Sequence, residues 1–158
     1  MIFLTVGTQL PFDRLVMAVD EWAHHRANSR VFAQIGRSAY SPLHMEWRPL
    51  LSPEETNAKC REASLIVGHA GVGTILTALE MGKPIIVMPR QYHFQEHRND
   101  HQTATAEFFE KSGQVLVAKD KEDLFQKLNR VESQVTVPPI ASHASGRLLE
   151  MLKQFVDK

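Results

Sequence analysis

Only one cysteine, Cys60, stands in the 158 residues, which excludes an internal disulfide. A lone thiol of this kind reads as a buried apolar side chain suited to a reducing compartment. Charge of one sign is missing too: 18 Lys plus Arg balance 18 Asp plus Glu, so no global field draws the chain to nucleic acid or an anionic membrane. Any charged ligand must be met by a local site. No apolar run approaches the ~20 residues that span a bilayer. The chain opens directly on "MIFLTV", without the basic n-region and cleavage site of a signal peptide. Repeats and low-complexity segments are absent as well. These absences lead us to expect a cytoplasmic domain, long enough to bury roughly 70% of the surface its unfolded chain exposes.

What is present is alternation. "MIFLTV" is strand-like, and from Pro11 onward Phe12, Leu15, Val16, Val19, Trp22 and Ala23 recur at helical spacing. "RVFAQIG" reads as a second strand, "HMEWRPLL" holds a short third, and a polar helix runs from Pro53 to about Glu62. "SLIVG" is a strand, Thr74 to Met81 a helix and "PIIVMP" a strand. A histidine-rich segment, 92–102, leads into a helix through Phe109, and "QVLVA" and "DKEDLFQKLNRV" add a last strand and helix. Strands separated by helices predict an α/β fold, a Rossmann-like parallel sheet with helices on both faces, over residues 1–137. Beyond "VPPI", Leu148, Leu149, Met151, Leu152, Phe155 and Val156 share one helical face. Residues 138–158 are therefore expected to form a terminal helix that docks on its own domain or on a partner.

The chemistry is expected within "VGHAGVGTILTALEMGKPIIVMPR", Val67 to Arg90. Ligands of open parallel sheets bind beyond the carboxyl ends of strands, where turns enter helix N-termini. Gly68, Gly71 and Gly73 follow such a strand, and the helix expected to start near Thr74 offers free N–H groups and about half a positive charge. A phosphate suits that place. Two named fingerprints fail: Leu76 stands where a dinucleotide motif needs Gly or Ala, and Pro84 follows Gly82-Lys83 where the phosphate-binding lysine motif needs Ser or Thr. Gly82-Lys83-Pro84 reads instead as a helix C-cap, with Lys83 near the negative end of that helix. "TVGTQLPFDRL" repeats the arrangement and should place Gly7, Thr8 and Gln9 on the same sheet edge.

"HAGVGTILTALEMGKPIIVMPR" with "EHRNDHQ" and "TVGT" resembles the C-terminal, donor-binding domain of glycosyltransferase family 28, from "TVGT" to about Val131. The resemblance is to its short stand-alone forms: PssE-like subunits of exopolysaccharide synthesis, and the catalytic subunit of the two-chain N-acetylglucosaminyltransferase of dolichol-linked oligosaccharide assembly. It implies one half of a GT-B enzyme, in which two Rossmann-like halves face each other across a cleft. It further implies a UDP-sugar as donor substrate, no required cofactor or metal, and a lipid-diphosphate-linked sugar as acceptor. A membrane-anchored, PssD-like partner subunit is implied as well, bringing the chain to the cytoplasmic membrane face. By this resemblance Gly7, Thr8 and Gln9 and the turn Gly71, Val72, Gly73 and Thr74 cradle the diphosphate. The segment from Trp47 and Arg48 to Leu50 lies toward the uracil, with Trp47 either stacking on it or filling core, and the loop around His97 to Gln102 reaches the sugar hydroxyls, Asp100, His101 and Gln102 foremost. His69 and His101 are the candidate catalytic groups. Where many relatives place a ribose-binding glutamate, this sequence has Thr77, which can accept one hydrogen bond.

Two rival readings stand beside this one. His93, Glu96 and His97 spell H-x-x-E-H, a zinc-peptidase pattern when carried on a helix, and His101 continues the same spacing. Alternatively, the chain is a non-catalytic nucleotide-sugar-binding subunit that activates a separate transferase.

Overall fold

The apolar runs become β1 (Ile2–Thr5), β2 (Val31–Gln34), β4 (Leu65–His69) and β5 (Ile85–Met88), flanked by β3 (Glu46–Arg48) and β6 (Leu116–Val117). The computed structural model describes residues 1–133. In it the six strands form one sheet in the order β3-β2-β1-β4-β5-β6, every pairing parallel. Leu4, at the centre, lies between Ala33 of β2 and Val67 of β4.

Successive side chains of these strands pack into separate cores, because a strand alternates its faces. Ile2, Leu4, Leu65, Val67, Ile86 and Met88 face helices α1 (Asp13–His24) and α5 (Lys121–Ser133). Phe3, Ile66, Ile85 and Val87 face α2 (Pro53–Glu62), α3 (Val72–Glu80) and α4 (His101–Lys111). Burial on both sides explains why the central strands read as continuous apolar runs. The edge strand β3, "EWR", is exposed throughout and correspondingly polar.

The α/β class and the helix-covered parallel sheet are therefore as the alternation predicts. Local boundaries differ. α3 begins at Val72, with Gly71 as its N-cap, so Val72, Gly73 and Thr74 form its first turn rather than a loop before it. β6 keeps only two residues of "QVLVA". Gly82 ends α3 in a left-handed conformation, φ +64°, with its own N–H on Leu79 O and the Lys83 N–H on Ala78 O. The Lys83 ammonium, however, donates to Arg61 O and Ala63 O at 2.7 and 2.8 Å. It caps the carboxyl end of α2, not of α3. That helix is fixed at its other end by a capping box between Ser52 and Glu55. The expected terminal helix, 138–158, lies outside the described residues.

The strand order reverses at β1, which runs between β2 and β4 while α1 and α2 lie on opposite faces. Such a reversal opens a crevice at the carboxyl ends of the two central strands.

Candidate functional site

A cleft of about 490 Å³ occupies that crevice. Its first wall is the loop after β1. Gly7 adopts φ +75°, a conformation that glycine tolerates best. Its N–H donates to Thr5 Oγ1 at 3.2 Å, and its carbonyl accepts from Gln34 Nε2 at 3.1 Å. Gln34 is buried at the end of β2 and accepts the Leu51 N–H as well, tying the β1 loop to the segment before α2. The amide of Gly7 is thus already engaged. Gly7 shapes the turn, while Thr8 and Gln9 at its tip are exposed along the cleft.

The second wall is built around His69. A Cβ on Gly71 would come within 2.2 Å of His69 Nε2, and one on Gly7 within 2.9 Å of His69 Cε1. The imidazole is therefore wedged between the two glycine turns, and both glycines are required by its ring. Gly73 has open space where its Cβ would be. No side chain caps the N-terminus of α3, whose first-turn amides are left without intrahelical acceptors. Thr74 and Thr77 line the cleft further along this helix, and Thr77 Oγ1 donates to Gly73 O at 2.9 Å, keeping its lone pairs available. Val72 turns its side chain toward the core.

The floor is polar and buried. Arg90, 3% exposed, follows β5; Gln102, at the start of α4, accepts the Arg90 N–H at 3.1 Å. Burial, with the Arg90 charge adding to it, lowers the His69 pKa to about 4, so the ring is neutral at pH 7. Burial also lowers the Arg90 pKa, to about 10, which still leaves it a cation. His69 Nδ1, His97 Nδ1 and Arg90 Nε are buried without a hydrogen-bond partner in the protein. Orphaned buried polar atoms of this kind are uncommon, and three of them belong to residues lining one cleft. Among the described residues lining it there is no Asp or Glu. The arrangement suits a polyanion: a cation, uncapped helix amides and hydroxyls, with no opposing carboxylate.

The sequence-predicted residues divide. Gly7, Thr8, Gln9, His69, Gly71, Gly73, Thr74, Thr77 and Gln102 line the cleft. Trp47 and Arg48 do not: Trp47 Nε1 donates to Pro42 O, and Arg48 pairs with Glu55 on the outer surface. Asp100 accepts the Tyr92 N–H, away from the cleft, and His101 is exposed at the start of α4. A helix turns 100° per residue, so of "DHQ" only Gln102 reaches the floor. Sequence reasoning missed Thr5, Gln34, Thr56, Cys60 and Arg90, while His97, in the loop expected at the sugar, lines the cleft. Gln34 and Arg90 carried a usable signal, being polar residues that close apolar strands at the carboxyl edge.

The H-x-x-E-H segment does not form the helix that a zinc site of that pattern needs. Tyr92–Phe94 make one 3-10 turn, and Gln95 then adopts φ +58°. Glu96 is held instead by Arg14 of α1 in a two-bond ion pair at 2.7 and 3.0 Å, and it accepts the Gln91 N–H. Among the described residues no three His, Cys, Asp or Glu side chains are grouped to hold a metal ion.

Comparison with known proteins agrees with this geometry. A UDP-N-acetylglucosamine–N-acetylmuramyl-(pentapeptide) pyrophosphoryl-undecaprenol N-acetylglucosamine transferase of Solibacter usitatus is 30% identical over 112 residues, 71% of this chain and 30% of that protein. The human UDP-N-acetylglucosamine transferase subunit ALG13 is 27% identical over 125 residues, 73% of this chain and 11% of that protein. The chain thus spans less than a third of either relative. The solution structure of ALG13 superposes with a TM-score of 0.63 at 20% identity, over 92% of this chain and 91% of that one. The architecture is that of one half of a GT-B glycosyltransferase. The model of the glycosyltransferase family 28 C-terminal domain matches residues 1–146, and the chain belongs to that family.

Proposed function

We propose that the chain is the donor-binding and catalytic subunit of an inverting glycosyltransferase that moves a hexose from a UDP-sugar to a lipid-diphosphate-linked acceptor. The observation that carries this reading is the cleft, free of carboxylates among the described residues, where two glycine turns and the N-terminus of α3 converge on His69 and Arg90. In it the diphosphate lies against Thr8, Gln9 and the Gly71 to Thr74 turn, and the ribose meets Thr77. The uracil lies toward Thr56 and Cys60, with Trp47 and Arg48 beyond them, and the sugar lies toward Gln102 and His97. Fixed backbone amides stabilise the negative charge that develops on the leaving diphosphate, and no metal is needed for that.

In the transfer step the acceptor hydroxyl bonds to the anomeric carbon. The bond to the diphosphate breaks, its electron pair leaves with UDP, and the proton passes to a base. His69 is our candidate for that base in preference to His101, since it lines the cleft and Nδ1 is unpaired. In the free chain its depressed pKa makes it a weak base, and a bound diphosphate opposes that depression electrostatically.

The name of the human relative describes a subunit, and that of the bacterial relative a pyrophosphoryl-lipid acceptor. The first supports a partner chain and the second a lipid-linked acceptor; our reading makes the partner a membrane-associated, PssD-like subunit that carries the acceptor at the inner membrane face, in exopolysaccharide or capsule synthesis. Among the described residues no helix is long and apolar enough to cross a membrane. Calorimetric titration with UDP and a panel of UDP-sugars tests the reading. Binding of UDP with preference for one sugar is expected, and failure of every member to bind would refute it.

A further inference from the structure

Arg90 is a cation placed where proteins rarely leave one unpaired. It is 3% exposed, and no carboxylate among the described residues forms an ion pair with it. Glu96, the acid that favours its charged form, is committed to Arg14. The Arg90 charge goes instead to backbone carbonyls. Nη2 donates to Val6 O at 2.7 Å and to Leu10 O at 2.6 Å, the two carbonyls that bracket Gly7, Thr8 and Gln9. The guanidinium also lies 5.1 Å from the centre of the Phe12 ring, the residue that leads into α1. Through its own N–H it is bonded to Gln102 of α4. The Arg90 side chain therefore joins both ends of the first glycine loop to the end of β5, and its backbone N–H ties that strand end to the start of α4.

We propose that Arg90 is a positioning residue of the donor site: a guanidinium staple that fixes the loop from Val6 to Leu10 and presents Thr8 and Gln9 to the diphosphate before the donor arrives. The inference rests on reading the cleft as a UDP-sugar site. A preformed loop saves the ordering cost that a mobile loop would impose on binding. Without the staple, the exposed tip of the loop keeps only the Gly7 bonds to Thr5 and Gln34.

The test uses the full chain with Arg90→Met and Arg90→Lys, read by backbone 15N order parameters without ligand and by UDP calorimetry. In Arg90→Met the order parameters of residues 8–10 are expected to fall below ~0.6 while those of the strands stay near ~0.85. UDP affinity is expected to fall by roughly 10- to 100-fold. Added guanidinium ion should restore part of both losses, and urea should restore neither. Arg90→Lys should lie between Met and wild type, and it carries the same readouts should the Met variant fail to fold. A loop as ordered in the variants as in wild type overturns the proposal, as does loss of order across the whole sheet. If the wild-type chain binds no UDP the donor reading fails, while the ligand-free loop measurement still decides whether Arg90 is the staple.

Discussion

The floor of the cleft and its outer rim are built in opposite ways. At the floor, Gln34, Arg90 and Gln102 are all under a tenth exposed, and each is hydrogen-bonded to backbone from another element. At the rim, the surface outside the cleft lining, Trp47 is 37% exposed, Tyr92 60% and Phe94 48%, and β3 is exposed along its length. The floor is thus set before any ligand arrives, whereas the rim holds its side chains loosely against solvent. A phosphate grip made of backbone needs the first kind of construction. Recognition of a base, a sugar or an acceptor from a second chain can use the second.

The sharpest way to break the contrast is within one glycine turn. Gly71→Ala drives a Cβ into the His69 ring, so a loss of roughly 1–3 kcal/mol in urea unfolding and abolished UDP binding are expected. Gly73→Ala, two residues on, meets open space; its stability should be unchanged or up to ~1 kcal/mol higher, since alanine favours helix. Gly7→Ala combines the Cβ contact with a left-handed backbone and should cost about 1–2 kcal/mol.

The buried His69 gives the cleft a pH signature. Its folded-state pKa, about 4, lies below the ordinary value of 6.5, so as pH falls below 6.5 the unfolded chain takes up the proton first. Stability is therefore whole above pH 6.5 and falls between 6.5 and 4, by up to about 3 kcal/mol from this group. Urea unfolding across that range should lose much of this slope in His69→Gln.

The smallest effects belong to Thr77 on the cleft wall and to the rim. Thr77→Ala removes one hydroxyl that already donates to Gly73 O, and a two- to fivefold weakening of UDP binding is expected, about the worth of one modest hydrogen bond. Trp47→Ala should alter stability by no more than about 1 kcal/mol and leave UDP affinity near wild type. A large loss of affinity there would move the uracil to the rim.

Legibility in the sequence followed the same division. Continuous apolar strands and intervening helical periods foretold the parallel sheet, because burial on both faces leaves that mark on composition. Gly7 and Gly71 were legible as turn positions, although the reason for Gly71 is the His69 ring and not backbone conformation, while Gly73 stands inside the first turn of α3. The roles of Arg90 and Gln34 arise from contacts across 84 and 27 residues of chain, so their position as polar residues closing apolar strands marks the sheet edge without giving the role. Asp100 and His101 were grouped with Gln102 by the resemblance carried in "EHRNDHQ", but helix geometry separates them. The H-x-x-E-H spelling was undone by a left-handed residue at Gln95 and by the pull of Arg14 on Glu96.

The central claim is that the His69-centred turn forms a diphosphate cradle. Titrating UDP into the wild-type chain, Gly71→Ala and Gly73→Ala by calorimetry tests it most directly. Saturable binding by wild type and its loss in Gly71→Ala are expected, with any loss in Gly73→Ala smaller and at intact stability. Equal UDP affinity in wild type and a folded Gly71→Ala, or no UDP binding by the wild type, would contradict the account.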